Sequence, residues 1–108
     1  MICNPELIVN GTYFNVSQCT DCHRVGLYYK NLLVGFNPKQ FMAFAQSFSE
    51  INFEKAAVRF PDDLEHIVVN TCHRDIQFTF TKAEFEEFRE TCQKALIIVK
   101  ANQILRVK

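Results

Sequence analysis

The chain has 108 residues, of which 48% are hydrophobic and eleven are Phe, with twelve Lys plus Arg against twelve Asp plus Glu. That size suits one domain, 1–108, around one apolar core, and the apolar content excludes global disorder. A formal net charge of zero removes the long-range field that draws polyanions or anionic membranes to a basic protein, so neither nucleic acid nor a membrane is an expected partner.

The opening Met1-Ile2-Cys3-Asn4-Pro5-Glu6 has no cationic segment followed by an apolar one, and no later window approaches eighteen uninterrupted apolar residues. A soluble, cytoplasmic protein is expected. Five cysteines without a secretory signal point to buried thiols, a metal site or a redox pair rather than a disulfide framework.

In chain order, a turn at Asn10-Gly11 precedes a strand over 13–17, and 27–30 with 32–36 read as a hairpin closed at Asn31. Asn37 then offers an N-cap, Pro38 fits the first helical position, and Gln40 sits where a capping box places its return acceptor. Phe41, Phe44, Ala45 and Phe48 form a 3-4 stripe. Residues 49–60 read as a helix end followed by an ill-defined strand, and Pro61-Asp62-Asp63 as a loop. A second hairpin, 66–71 with 76–80, crosses a turn at 72–75. Thr81 and Glu84 repeat the cap signals ahead of a stripe of Phe85, Phe88, Cys92, Leu96 and Val99.

Cys22-His23-Arg24 matches Cys72-His73-Arg74, and each tripeptide leads through an aromatic strand to a capped helix with two Phe on one face. The expected fold is therefore α+β: two related β-hairpin-plus-helix halves, an internal repeat of 22–48 and 72–92, forming a mostly antiparallel sheet with two helices packed on it.

Cys19-Thr20-Asp21-Cys22 is the one local motif with a mechanism, because two thiolates two residues apart in a tight turn can share a tetrahedral zinc ion. The candidate ligands are Cys19, Cys22, Cys3 and Cys72, with Cys3 as third ligand and Cys72 or His23 completing the shell. Against this, His23 stands where metal knuckles often place Gly. The same pair could form a redox dithiol, although that chemistry favours a helix N-terminus and the residues after Cys22 read as a strand. A Cys–His nucleophile pair, Cys22 with His73 or Cys72 with His23, lacks an orienting third group. Arg24, Arg74 and Lys30 with Tyr28 and Tyr29 could form a basic, aromatic surface, but one of two adjacent tyrosines in a strand must face the core. Three glycines leave no phosphate-binding loop and no nucleophile elbow.

Gly11 leading into an aromatic strand, Cys19 with Cys22, the Leu-rich hairpin 27–36, and Phe41 with Phe44 resemble a family of small uncharacterised bacterial proteins, a domain of unknown function. The match continues through the second strand–helix unit to about Leu105. The resemblance implies a stand-alone bacterial domain and transfers no catalytic residue. The sequence thus favours a non-enzymatic structural or protein-interaction module, stabilised by a structural zinc, over the alternative of a thiol redox protein. Leu96-Ile97-Ile98-Val99 and Ile104-Leu105-Val107 widen the second helix's apolar face, which points to a homodimer through that C-terminal helix.

Overall fold

The computed structural model describes residues 4–47 and 49–106. The fold is α+β. Strands β1 (Pro5–Asn10), β2 (Phe14–Cys19), β3 (Val25–Tyr29) and β4 (Leu32–Phe36) form an antiparallel sheet in chain order. Helix α1 (Pro38–Ser47) and a single helical turn, α2 (Phe53–Ala56), lead to β5 (Val58–Arg59), β6 (Glu65–Asn70) and β7 (Gln77–Phe80), a second antiparallel sheet, and then to α3 (Lys82–Arg106).

Each element has a local cause. Asn37 and Gln40 make a reciprocal capping box: the Gln40 N–H donates to Asn37 Oδ1 at 2.7 Å and the Asn37 N–H to Gln40 Oε1 at 3.0 Å. Thr81 caps α3 differently, because its N–H and its hydroxyl both donate to Glu84 Oε1, at 2.9 and 3.1 Å. The second carboxylate oxygen accepts from the Tyr29 hydroxyl at 3.1 Å, which ties the start of α3 to β3. In the stretch 49–60, Asn52 caps α2 through a 3.2 Å bond from the Lys55 N–H, and only two residues afterwards pair as β5.

One aromatic core joins these parts. Phe88 of α3 meets Phe14 of β2, Phe44 of α1 and Phe78 and Phe80 of β7, with ring centroids between 4.5 and 5.8 Å apart. The α3 stripe of Phe85, Phe88, Cys92, Leu96 and Val99 is buried, as are Phe41, Phe44 and Ala45 of α1; Phe48 lies outside the described residues. Helix α3 packs against β1, β2, β6, β7 and α1, and with 25 residues it spans about 37 Å, so it sets the long axis of a molecule measuring 49 × 26 × 26 Å.

The strands divide into two sheets, where the sequence suggested one. At the outer edge of β4 the Gly35 carbonyl accepts from His73 Nε2 at 2.7 Å, so a ring nitrogen from the β6–β7 turn occupies a position that a neighbouring strand would otherwise pair. No helix among the described residues is long and apolar enough to cross a membrane.

Candidate functional site

Strand β2 ends at Cys19 and β3 begins at Val25, so Cys19 and Cys22 flank one tight turn. Three backbone N–H groups point at Cys19 Sγ: those of Asn4 at 3.3 Å, Asp21 at 3.4 Å and Cys22 at 3.4 Å. The Asn4 donor comes from across the β1–β2 pair, where the Thr20 N–H donates to the Asn4 carbonyl at 3.1 Å. The turn closes with the His23 N–H on the Cys19 carbonyl at 3.0 Å and the Cys19 N–H on the Arg24 carbonyl at 2.9 Å. To make that closure, His23 takes φ of 66°, the left-handed conformation that glycine adopts without penalty.

Convergent donors stabilise the charged form of an acceptor, and the thiolate is the better acceptor. The Cys22 N–H has the largest effect on the Cys19 thiol; burial opposes it, the Asn4 and Asp21 N–H groups add to it, and the thiol is lowered to about 6 from its ordinary 9.0. The turn is also tied to the distant end of α3. Gln18 Nε2 donates to the His23 carbonyl at 3.0 Å, and Gln18 Oε1 accepts from Asn102 Nδ2 at 2.7 Å. Gln18 is buried, so both ends of its amide are satisfied inside the protein.

The structure brings together Cys19, which is 4% exposed, and half-buried Cys22. Cys3 lies outside the described residues, one position before Asn4. Cys72 stands exposed in the β6–β7 turn beside Gln40, Ala43 and Ser47 of α1, and among the described residues no three His, Cys, Asp or Glu side chains converge to hold a metal. His23 Nδ1 is buried with no hydrogen-bond partner among the described residues. Cys92 is a core residue whose thiol burial pushes up. Among the described residues, no disulfide joins Cys19, Cys22, Cys72 and Cys92 to one another. His73 is committed through Nε2 to Gly35, which fixes the proton on that nitrogen because a carbonyl only accepts.

The two adjacent tyrosines part as a strand requires. Tyr29 stacks on Phe14 at 4.7 Å, and burial together with the Glu84 carboxylate raises its hydroxyl. Lys30 lies over the Tyr29 ring at 5.3 Å. Tyr28 stays on the outer face of the four-stranded sheet, in register with Leu33 and Asn15.

That outer face carries a feature the sequence reading missed. Ser17, Gly26 and Gly35 sit side by side on β2, β3 and β4, so three small residues form the floor of a trough running across the strands. Tyr28 and Leu33 wall one side, Pro5, Cys19 and Arg24 the other, and the hollow measures about 430 Å³. The hairpin turns at Lys30–Asn31 and not, as the sequence suggested, at Asn31 alone, which would have set Gly26 against Phe36; from the two-residue turn Gly26 and Gly35 are equidistant and must pair. A hollow of about 470 Å³ at Gly11 is of another kind, because Glu87 beside it spends its carboxylate on the Thr12 and Tyr13 N–H groups, at 2.8 and 3.1 Å.

No curated protein matches the chain, and no solved structure does. A family model matches residues 1–107 and so spans both sheets, the Cys19–Cys22 turn and almost all of α3; the chain belongs to the family of unknown function DUF6686.

Proposed function

We propose that the chain is a non-enzymatic structural and interaction module whose Cys19–Cys22 turn is a metal knuckle for a structural zinc. One observation carries the reading: Cys19 Sγ accepts three backbone N–H bonds while His23 holds φ of 66°. Backbone donors to the first sulfur and a left-handed residue after the second cysteine are what a tetrahedral thiolate site asks of a two-residue spacing. His23 therefore supports the site through its backbone, although the sequence argued against it there. Cys3, adjacent in the chain to Asn4, is the proposed third ligand. Cys72 or His23 is proposed for the fourth position; neither converges with Cys19 and Cys22 among the described residues, so metal binding would have to draw one of these side chains in.

Elemental analysis of protein purified without a histidine tag or added metal tests this directly. One equivalent of zinc, lost with either Cys19→Ser or Cys22→Ser, is the expected result. Replacement by cobalt should give sulfur-to-metal charge-transfer bands, and chelation should lower the melting temperature because such a site contributes to folding. Less than a tenth of an equivalent of any transition metal, with melting unchanged by chelator, refutes the reading.

The lowered Cys19 thiol also favours a second reading, a Cys19/Cys22 dithiol redox pair. Against it stand the small exposure of Cys19 and the strand that follows Cys22, where redox pairs use a helix. Rapid alkylation of metal-free protein at neutral pH, with disulfide exchange faster than a free-thiol control, would favour redox.

For the interaction role, the supporting feature is a row of exposed Ile97, Ile104 and Leu105 on α3, which we read as the seam of a homodimer. We also read 22–48 and 72–92 as copies of one ancestral hairpin-plus-helix unit, which the Asn37–Gln40 and Thr81–Glu84 caps support.

A further inference from the structure

The trough on the outer face of the four-stranded sheet has the makings of a ligand site that is independent of the metal reading. Its floor is backbone: the Gly26–Gly35 cross-strand pair presents no side chain, and a Cβ added at Gly26 would lie 3.0 Å from Leu33 Cδ1 and 3.3 Å from Ser17 Oγ. A flat group can lie there in contact with peptide planes, between Leu33 and Tyr28 on one side and Arg24 on the other. Cross-strand pairing of two glycines forgoes side-chain packing that would stabilise the sheet, and a close approach from outside is one physical use of such a position.

Two polar groups face the space without partners among the described residues. Ser17 is only 7% exposed, its Oγ borders Gly26 together with the flexible end of Leu33, and its hydroxyl makes no hydrogen bond among the described residues. Arg24 forms no ion pair among the described residues, and its Nη2 stands 3.4 Å from where a Gly35 Cβ would be, so the guanidinium reaches over the glycine floor at one end. An apolar hollow of about 430 Å³ with a buried hydroxyl and a cation that has no ion-pair partner among the described residues has the dimensions and polarity of a small-molecule site.

We infer that this trough binds a flat aromatic carboxylate, its ring against Leu33 and Tyr28 and its acid group over the Gly26–Gly35 pair, between Ser17 and Arg24. The glycine floor leaves the planar acid group room to reach both partners. The carboxylate accepts from both the guanidinium and the hydroxyl, which only donate to it.

The test uses the full-length protein in its purified state, with 2-naphthoate as the probe and 2-naphthalenemethanol as its uncharged counterpart, followed by amide chemical-shift mapping. Saturable shifts confined to Ser17, Gly26, Tyr28, Gly35 and their neighbours are expected, with the alcohol binding about fivefold more weakly and Arg24→Gln erasing that difference. Gly26→Ala raises the floor into the acid group's place and should weaken binding at least tenfold; Gly35→Ala, whose added Cβ meets only the flexible Arg24 tip, does the same if Gly26→Ala fails to fold. Absence of saturation at millimolar naphthoate, equal binding of acid and alcohol, or shifts on another surface would overturn the proposal. So would concentration-dependent shifts of the same amides without ligand, which would make the trough a contact between two copies. Because zinc content is measured on the same samples, loss of the metal site and loss of the trough are read separately.

Discussion

The conformation of His23 can be tested by substitution, since the knuckle depends on it. A non-glycine residue at φ of 66° forgoes roughly 1–2 kcal/mol relative to the right-handed region, whereas glycine forgoes almost nothing there. Glycine also gives the unfolded chain more freedom, which costs about 0.5–1 kcal/mol. His23→Gly in metal-free protein should therefore be as stable as wild type or more stable by up to about 1.5 kcal/mol. His23→Ala keeps the strain, loses whatever the imidazole contributes, and should fall about 1 kcal/mol below the glycine variant. Both retain the backbone bond to the Cys19 carbonyl, so the comparison isolates the dihedral. Urea denaturation at matched m-values measures the difference. If the alanine variant equals or exceeds the glycine variant, the residue is not left-handed in solution and the knuckle geometry is wrong. Repeating the pair with zinc separates the roles: a ligating His23 loses metal affinity in both variants, whereas a purely conformational one keeps it in both, because alanine carries the same backbone strain as histidine and glycine carries less.

Phe88→Ala should destabilise by about 3–5 kcal/mol in calorimetry or urea, because the ring is fully buried where two sheets and α1 meet; a loss under 1 kcal/mol would contradict that packing. Burial pushes the Glu84 carboxyl up, but bonds from the Thr81 N–H, the Tyr29 hydroxyl and the Thr81 hydroxyl outweigh it and leave it below its ordinary 4.5. A lowered carboxyl stabilises the fold above its unfolded value and loses that contribution as pH falls through the folded value, so Glu84→Gln should flatten the acid side of the stability profile while leaving neutral pH less stable. An unchanged slope over about pH 5 to 3, the range in which the unfolded carboxyl takes up its proton, would show the cap to be electrostatically silent. Ile104→Lys should shift the sedimentation mass toward monomer if the exposed α3 row is a dimer seam; a concentration-independent monomer in the unsubstituted protein removes that interface.

Local chemistry wrote most of the elements into the chain. Asn37 with Gln40, and Thr81 with Glu84, mark where the helices start because orphan N–H groups need nearby acceptors. The period of the Phe residues then says which helix face is buried, and Lys30–Asn31 sets the pairing of β3 with β4. These are interactions between residues a few positions apart, which a sequence displays. The division into two sheets was not of that kind, since the contact at the edge of β4, His73 on the Gly35 carbonyl, joins residues 38 positions apart. Nor was the state of Cys19, whose third donor, the Asn4 N–H, arrives from fifteen positions upstream across a strand pair. The trough lies between, as its two glycines are legible in the hairpin register while Ser17 and Arg24 join them only when β2 and β3 pair. Spacing names the residues that can meet; which of them do meet, and in which state of charge, is decided by long-range contacts and burial, because those fix the donors and the solvent around each group.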